Sequence, residues 1–116
     1  MKIHDGKYEG VYEGLFGKGI VWITRSNGKI IAEDAVGGAY AGGHTYDPYT
    51  GINAFSGRLA VVPGFALVND PRVRQEREVV PFEAQLKSED LGRPVPVKTP
   101  YGPVLLTLRQ QQSTAA

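Results

Sequence analysis

The side chains that most often perform acid–base or metal chemistry are scarce in this 116-residue chain, and their spacing does not form a site. The chain has no cysteine and two histidines, His4 and His44, which are too far apart in sequence to form a local metal-binding pair. His44 follows a glycine and is expected at an exposed or rim position, where it could act at most as a lone general base. No serine lies in a nucleophile motif. We therefore predict a protein that is not an enzyme and has no catalytic residues, metal or cofactor.

Asp34 is the carboxylate with the most informative sequence context. It follows an apolar, strand-like run and precedes the glycine pair Gly37-Gly38. One interpretation is structural, because a carboxylate at such a corner accepts hydrogen bonds from the amides of the turn. The other interpretation is a contact with a ligand. The turn context favours the structural role.

Aromatic side chains are the other candidates for a binding site. An eight-stranded barrel can hold one small ligand inside, and Tyr8, Trp22 and Tyr40 are the candidates to line such a cavity. The same rings could instead fill the interior, and small barrels mostly pack solid. The bulk of the aromatic set favours a filled interior.

The elements that position these residues are predicted to be short β-strands. Asn27-Gly28 lies between two apolar runs and predicts a two-residue hairpin turn, because both residues tolerate positive φ. The segment from Val80 to Leu86 alternates apolar and polar residues, as expected of a strand with one buried face. Phe65–Val68 is interpreted as a further strand, and the charged segment Arg72–Glu78 as a solvated loop.

These signals predict a single all-β domain over residues 1–109, with a disordered tail over residues 110–116. Glycine is concentrated in the first half and proline in the second, with no helical pattern of apolar residues. Seven or eight strands with short connections match a small antiparallel up-and-down β-barrel, and a β-sandwich is the alternative. The expected core residues are Ile20, Trp22, Ile30, Leu59, Phe82, Leu86 and Leu106.

Charge and composition limit the partners. The formal net charge is +1, which provides no long-range field to attract nucleic acid or anionic lipid. No apolar run approaches the length that spans a bilayer, and no export signal is recognised at the start. With the absence of cysteine, these features predict a cytoplasmic protein without nucleic acid or membrane partners.

A series of glycine-centred motifs occupies the first half of the chain, namely Gly6-Lys7-Tyr8, Gly17-Lys18-Gly19-Ile20-Val21 and Asn27-Gly28-Lys29-Ile30, followed by Asp34, Gly38, Tyr40 and Gly42. Over residues 6–43 this series resembles the GrlR-like proteins, a family that includes negative regulators of bacterial type III secretion. The resemblance implies a small lipocalin-like antiparallel barrel. It also implies a regulatory role through a protein partner such as a transcriptional regulator, which the family's regulator binds through a loop of four acidic residues.

At the position of that acidic loop, this chain has Tyr46-Asp47-Pro48-Tyr49-Thr50-Gly51, with one acidic residue. Tyr46, Asp47 and Tyr49 are the candidate partner-binding residues, since tyrosine is enriched at interaction hot spots. A rigid turn whose tyrosines cover the barrel mouth is the alternative. The chain is thus predicted to be a regulatory or adaptor barrel that acts by protein contact, or else a carrier or sensor of a small apolar molecule. Its glycine-rich strands also predict a homodimer through a free sheet edge.

Overall fold

Eight antiparallel strands follow one another around a closed barrel in the computed structural model, which describes residues 1–111. The strands are β1 (Gly6–Gly14), β2 (Gly17–Ser26), β3 (Lys29–Asp34), β4 (Ala39–Asp47), β5 (Ile52–Val61), β6 (Glu78–Leu86), β7 (Pro94–Lys98) and β8 (Val104–Gln110). A 3-10 turn at Ser88–Asp90 precedes β7. Each strand pairs with the next, and β1 also pairs with β8, which closes the sheet. The all-β barrel predicted from the sequence is confirmed.

The end of β8 differs from the predicted domain boundary. Gln110 was expected in the tail, but it is the last residue of β8 and pairs with Tyr8. The backbone amide of Gln111 then donates to the carbonyl of Lys7 at 2.8 Å. The remaining residues of the predicted tail, 112–116, lie outside the described residues.

The turn between β2 and β3 has the backbone that its sequence requires. Asn27 has a φ of 51° and Gly28 a φ of 74°, so both central residues occupy the left-handed region. This turn fixes the register in which Ser26 pairs with Lys29 and Arg25 with Ile30. The register in turn decides which face of β2 points into the barrel.

That face is the opposite of the predicted one. Val21 and Arg25 are buried inside, whereas Ile20 and Trp22 lie on the outer surface, where Trp22 is 42% exposed between Glu9 and Glu33. The prediction that Ile20 and Trp22 belong to the core is therefore wrong. The run from Ile20 to Ile23 is apolar at every position, so alternation could not distinguish its two faces.

The other expected core residues point inward. Ile30, Leu59, Phe82, Leu86 and Leu106 all border the barrel interior. Among them, Ile30 and Leu86 are buried and the other three are half-buried. The buried face of β6 was predicted correctly, because most of its outward positions are proline or polar and so differ from the apolar inward positions.

Residues 62–77 connect β5 to β6 across one end of the barrel and are called the covering loop below. Phe65–Val68, predicted as a strand, belongs to this loop and contributes a single bridge between Leu67 and Asp70. Arg72–Glu78, predicted as a solvated loop, contains Arg74, which is only 3% exposed. The strand prediction for Phe65–Val68 is therefore wrong. The loop prediction is confirmed for most of Arg72–Glu78, whose residues other than Arg74 and Glu78 are exposed and lie outside the strands.

Paired glycines allow β4 and β5 to approach each other closely. Gly42 and Gly57 are cross-strand partners on the inner face. A Cβ atom at Gly42 would overlap the carbonyl oxygen of Ser56 and lie 2.9 Å from the Cα of Gly57. Glycine at such a position lets the sheet bend as a small barrel must.

The seam between β6 and β7 has the shortest ladder, with Glu83 paired to Lys98 and Ala84 to Val97. Proline lacks the amide donor, and Pro81, Pro94 and Pro96 occupy these two strands. The barrel closes, but the two-pair ladder leaves part of β6 and β7 unpaired with each other at this seam. The dimer itself stays a prediction. No helix among residues 1–111 is long and apolar enough to cross a membrane.

We expect Gly42→Ala to destabilise the barrel by about 1–3 kcal/mol, the usual cost of forcing extra atoms into a packed site. The neighbouring Gly43→Ala is a matched control in the same strand, because a Cβ there would lie 3.7 Å from its nearest neighbour, the carbonyl oxygen of Gly28. Urea unfolding measures both variants. Equal stability of the two variants would contradict the close approach of β4 and β5.

Candidate ligand cavity

The barrel interior is hollow. The inward side chains surround a cavity of about 180 Å³. Most of its lining is aliphatic or aromatic, from strands on all sides of the barrel and from the covering loop. Leu59, Phe82 and Leu106 point inward yet are only half-buried, as expected for side chains that border open space. The expectation of a filled interior is therefore wrong.

Small inward residues explain why the interior is not filled. Ala32 and Ala84 lie on the inner face, and β7 and β8 contribute the valines Val95, Val97 and Val104. The aromatic rings that were expected to fill the space are fewer inside than the sequence suggested, because Trp22 is on the outer surface.

Asp34 lies at the end of β3 and borders the cavity close to the covering loop. Its Oδ1 accepts hydrogen bonds from the backbone amides of Val36, at 3.1 Å, and Gly38, at 2.8 Å. Its Oδ2 accepts a hydrogen bond from the Tyr40 hydroxyl at 2.8 Å. Asp34 thus holds the β3–β4 turn and also presents its carboxylate to the interior, so the two interpretations of this residue are compatible.

Tyr12 and Tyr40 bring two phenol groups to the same end of the cavity. The Tyr12 ring lies over Gly19, its cross-strand partner, where a side chain would overlap the ring. Burial and the nearby Asp34 charge raise the pKa of Tyr12 to about 12. The same two causes, in the same order, raise the pKa of Tyr40 well above its ordinary value. Both phenols therefore keep their protons at neutral pH.

Residues 1–5 close the opposite end of the barrel and are called the N-terminal plug. Ile3 is 4% exposed and packs with Tyr8 and Leu86. Its amide donates to Asn53 Oδ1 at 2.9 Å, and Asn53 Nδ2 donates to the carbonyl of Met1 at 3.1 Å. Asn53 is completely buried, so these hydrogen bonds replace the water that its amide group loses.

A chain of buried polar groups supports the plug. Arg25 Nε donates to His44 Nδ1 at 2.9 Å, and Arg25 Nη1 pairs with Asp5. Since Nδ1 of His44 is an acceptor, the proton of the neutral ring resides on Nε2, which donates to Asn53 Oδ1 at 2.8 Å. His44 was expected to be exposed, but it is buried and stacks on Phe55 at a centroid distance of 4.3 Å.

Arg74 fixes the covering loop. Its Nε donates to Glu78 Oε2 at 2.6 Å, and its Nη2 donates to Asp70 Oδ2 at 2.9 Å. Its guanidinium also lies 5.1 Å from the ring centroid of Tyr101, whose hydroxyl donates to Glu78. Hydrogen bonds from Tyr101 and Arg74 hold the pKa of Glu78 below its ordinary value. Elsewhere in the loop, the Val68 carbonyl accepts from the Phe16 amide at 2.7 Å.

The predicted site residues fall in three different places. Tyr8 and Tyr40 line the cavity as predicted, and Trp22 does not. Of the candidate partner-binding residues, Tyr46 is half-buried in β4, whereas Tyr49 is 97% exposed. Asp47 Oδ1 accepts from the Tyr49 amide at 2.9 Å and so holds the turn. The structure therefore does not place Tyr46 and Tyr49 on one exposed surface.

Several residues of the cavity and its two ends were not singled out from the sequence. Tyr12 could have been found from the glycines around it, because an aromatic ring often covers a cross-strand glycine. Asn53 and Arg25 carry no local signal, since their partners are distant in sequence. Arg74 has acidic partners four residues away on each side, Asp70 and Glu78, but its burial depends on the fold of the loop. Within residues 1–111, no group of histidine, aspartate and glutamate side chains is arranged to hold a metal.

Comparisons of the chain with protein-family models, with curated proteins and with solved structures find no match. The class defined by the structure is accordingly that of a closed eight-stranded antiparallel barrel with an apolar interior cavity.

We expect His44 to make the protein less stable in mild acid. Burial lowers the pKa of His44 below its ordinary 6.5, and the Arg25 charge lowers it further. Below about pH 6.5 the unfolded chain therefore binds a proton that the folded protein excludes, so the free energy of unfolding falls with decreasing pH. His44→Gln should flatten this dependence in urea unfolding between pH 7 and about 5. The control His4→Gln, at an exposed position, should keep the wild-type slope, and a wild-type slope in His44→Gln would contradict the assignment.

We also expect Arg74→Met to destabilise the protein by about 2 kcal/mol more than Arg72→Met, because removing one member of a buried ion pair strands its partners. The Arg74 side chain is 2% exposed, and that of Arg72 is 61% exposed. Thermal and urea unfolding provide the comparison. Similar losses in both variants would show that the covering loop does not depend on Arg74.

Proposed function

We propose that this barrel binds a small, mainly apolar molecule in its interior and acts as a carrier or sensor of that molecule. The observation that carries the proposal is the 180 Å³ cavity with its apolar lining. Native interiors are packed nearly as densely as organic crystals, so a void of this size costs stability unless something occupies it. Occupation by a ligand recovers the lost contacts.

The volume limits the size of the ligand. An apolar cavity of about 150 Å³ is large enough to hold benzene, whereas pockets for drug-sized ligands have about 300–1,000 Å³. At about 180 Å³ the cavity suits one ring with a short substituent or a compact aliphatic molecule. Long-chain lipids do not fit this volume.

A second candidate is a regulatory or adaptor role through protein contact, as the GrlR-like resemblance implies. The observation that favours it is Tyr49, whose ring is almost completely exposed on the turn after β4. Tyr49→Ala should weaken capture of a partner without changing the melting temperature, because an exposed ring contributes little to the core. Undiminished capture would exclude this turn as the contact.

We expect toluene to raise the melting temperature of the wild-type protein, because a ligand that binds only the folded state stabilises it by mass action. Ala84→Phe places a ring in the cavity and should abolish the shift. Ala41→Phe is the matched control, because Ala41 is exposed on the outer face of β4. This variant should show the same toluene-dependent shift as the wild-type protein. Differential scanning calorimetry at a series of toluene concentrations measures all three proteins.

The absence of a toluene-dependent shift in the wild-type protein would overturn the proposal. An equal shift in wild-type and Ala84→Phe protein would place the toluene outside the barrel, with the same consequence.

A further inference from the structure

The end of the cavity under the covering loop carries a negative charge without a cationic partner. Asp34 is 8% exposed and forms no salt bridge with any residue in the part of the chain that the structure describes. Two amides and the Tyr40 hydroxyl satisfy much of its hydrogen-bonding capacity, but they do not neutralise it. A buried carboxylate without a countercharge is unusual, because burial of an unpaired charge is costly.

The phenols of Tyr12 and Tyr40 do not change the sign of the charge at this end of the cavity. Tyr40 directs its proton to Asp34, so the lone pairs left on its oxygen can only accept a hydrogen bond. The Tyr12 phenol borders the same cavity, and its raised pKa keeps it neutral. The Asp34 carboxylate and the Tyr40 oxygen therefore offer acceptors at this end of the cavity, next to a negative charge. A ligand that complements this end of the cavity supplies a hydrogen-bond donor and a positive charge.

We propose that the ligand of this cavity is a small protonated organic amine with an apolar body. Its ammonium group lies at Asp34 and donates hydrogen bonds to the carboxylate or to the oxygens of Tyr12 and Tyr40. Its apolar body occupies the aliphatic part of the cavity toward Leu106. This inference rests on the proposed binding function and names the class of ligand.

Aromatic rings next to the carboxylate strengthen the assignment. The ring of Phe82 stands edge-on to that of Tyr40, with centroids 6.0 Å apart and an interplanar angle of 69°. Both rings border the cavity, as does that of Tyr12. Ring faces attract cations, and ammonium ligands are often held by aromatic groups combined with a carboxylate.

The opposite end of the cavity does not offer an equivalent site for an anion. Arg25 borders the cavity there, but its Nε is bonded to His44 and its Nη1 is paired with Asp5. Its charge is therefore already compensated within the N-terminal plug. The unbalanced charge in the interior is that of Asp34.

Four ligands of nearly equal size test the proposal on the purified protein: benzylamine, benzyl alcohol, benzoate and toluene. Isothermal titration calorimetry at neutral pH gives the dissociation constant of each. We expect benzylamine to bind at least about tenfold more tightly than benzyl alcohol, because its ammonium supplies a countercharge to the buried carboxylate, whereas the alcohol supplies only a neutral donor. Benzoate should not bind measurably, since it would place a second negative charge beside Asp34.

Two variants assign the preference to the named residues. Asp34→Asn retains an oxygen that can accept the Val36 and Gly38 amides but removes the charge, so it should lose the tenfold preference for benzylamine and keep toluene binding. Tyr40→Phe retains the ring and removes one acceptor. It should weaken benzylamine binding several-fold while toluene binding remains, and it decides the question if Asp34→Asn does not fold.

The outcomes separate the two proposals. If none of the four ligands binds, the proposed binding function fails and this inference fails with it. If toluene binds and benzylamine binds no more tightly than benzyl alcohol, the amine assignment is overturned and the binding function stands. An unchanged benzylamine preference in both folded variants would also overturn it.

Discussion

Closure of the sheet through the pairing of β1 with β8 is the constraint on which the rest of this structure depends. Once eight strands close, the barrel has a fixed circumference and an interior that side chains must fill or leave empty. The close approach of β4 and β5 at Gly42 and Gly57 provides one of the bends needed for closure. The inner face then carries alanine and valine at many positions, and the sum of these small side chains leaves about 180 Å³ unoccupied.

Polar networks close both ends of this apolar interior. At one end Arg25, His44 and Asn53 hold the N-terminal plug, and at the other Arg74 holds the covering loop to β6. No side-chain nitrogen or oxygen that is fully buried lacks a hydrogen-bond partner among the described residues. That matters because a half-satisfied buried network is destabilising, whereas a satisfied one fixes a single arrangement. Both ends are thus held in place by directional bonds.

The fold could be predicted from the sequence because its signals are local. The Asn27-Gly28 turn and the alternation along β6 each require only neighbouring residues. The orientation of β2 could not, since Ile20, Val21 and Trp22 are all apolar and the register is set by pairing with β1 and β3. The burial of Arg74 in the covering loop could not be predicted for a related reason. An arginine in a charged segment is expected at the surface, but the folded loop places Asp70 and Glu78 around the Arg74 side chain.

The candidate site was likewise predictable only where its signals are local. Tyr8 and Tyr40 were identified from the sequence, and the turn-holding role of Asp34 was favoured there, but its position at a cavity depends on the arrangement of all eight strands. Whether a barrel is filled or hollow is a sum over some thirty inward positions. No sequence motif reports the total volume of the inward side chains, so the volume of the cavity could be determined only from the structure.

The most direct measurement of the central claim is a crystal structure determined under xenon pressure. Xenon occupies dry apolar cavities and scatters strongly. A hollow interior predicts a xenon peak inside the barrel, between Leu59, Phe82 and Leu106. Xenon bound only at the outer surface, with side chains closing the space inside, would contradict the account.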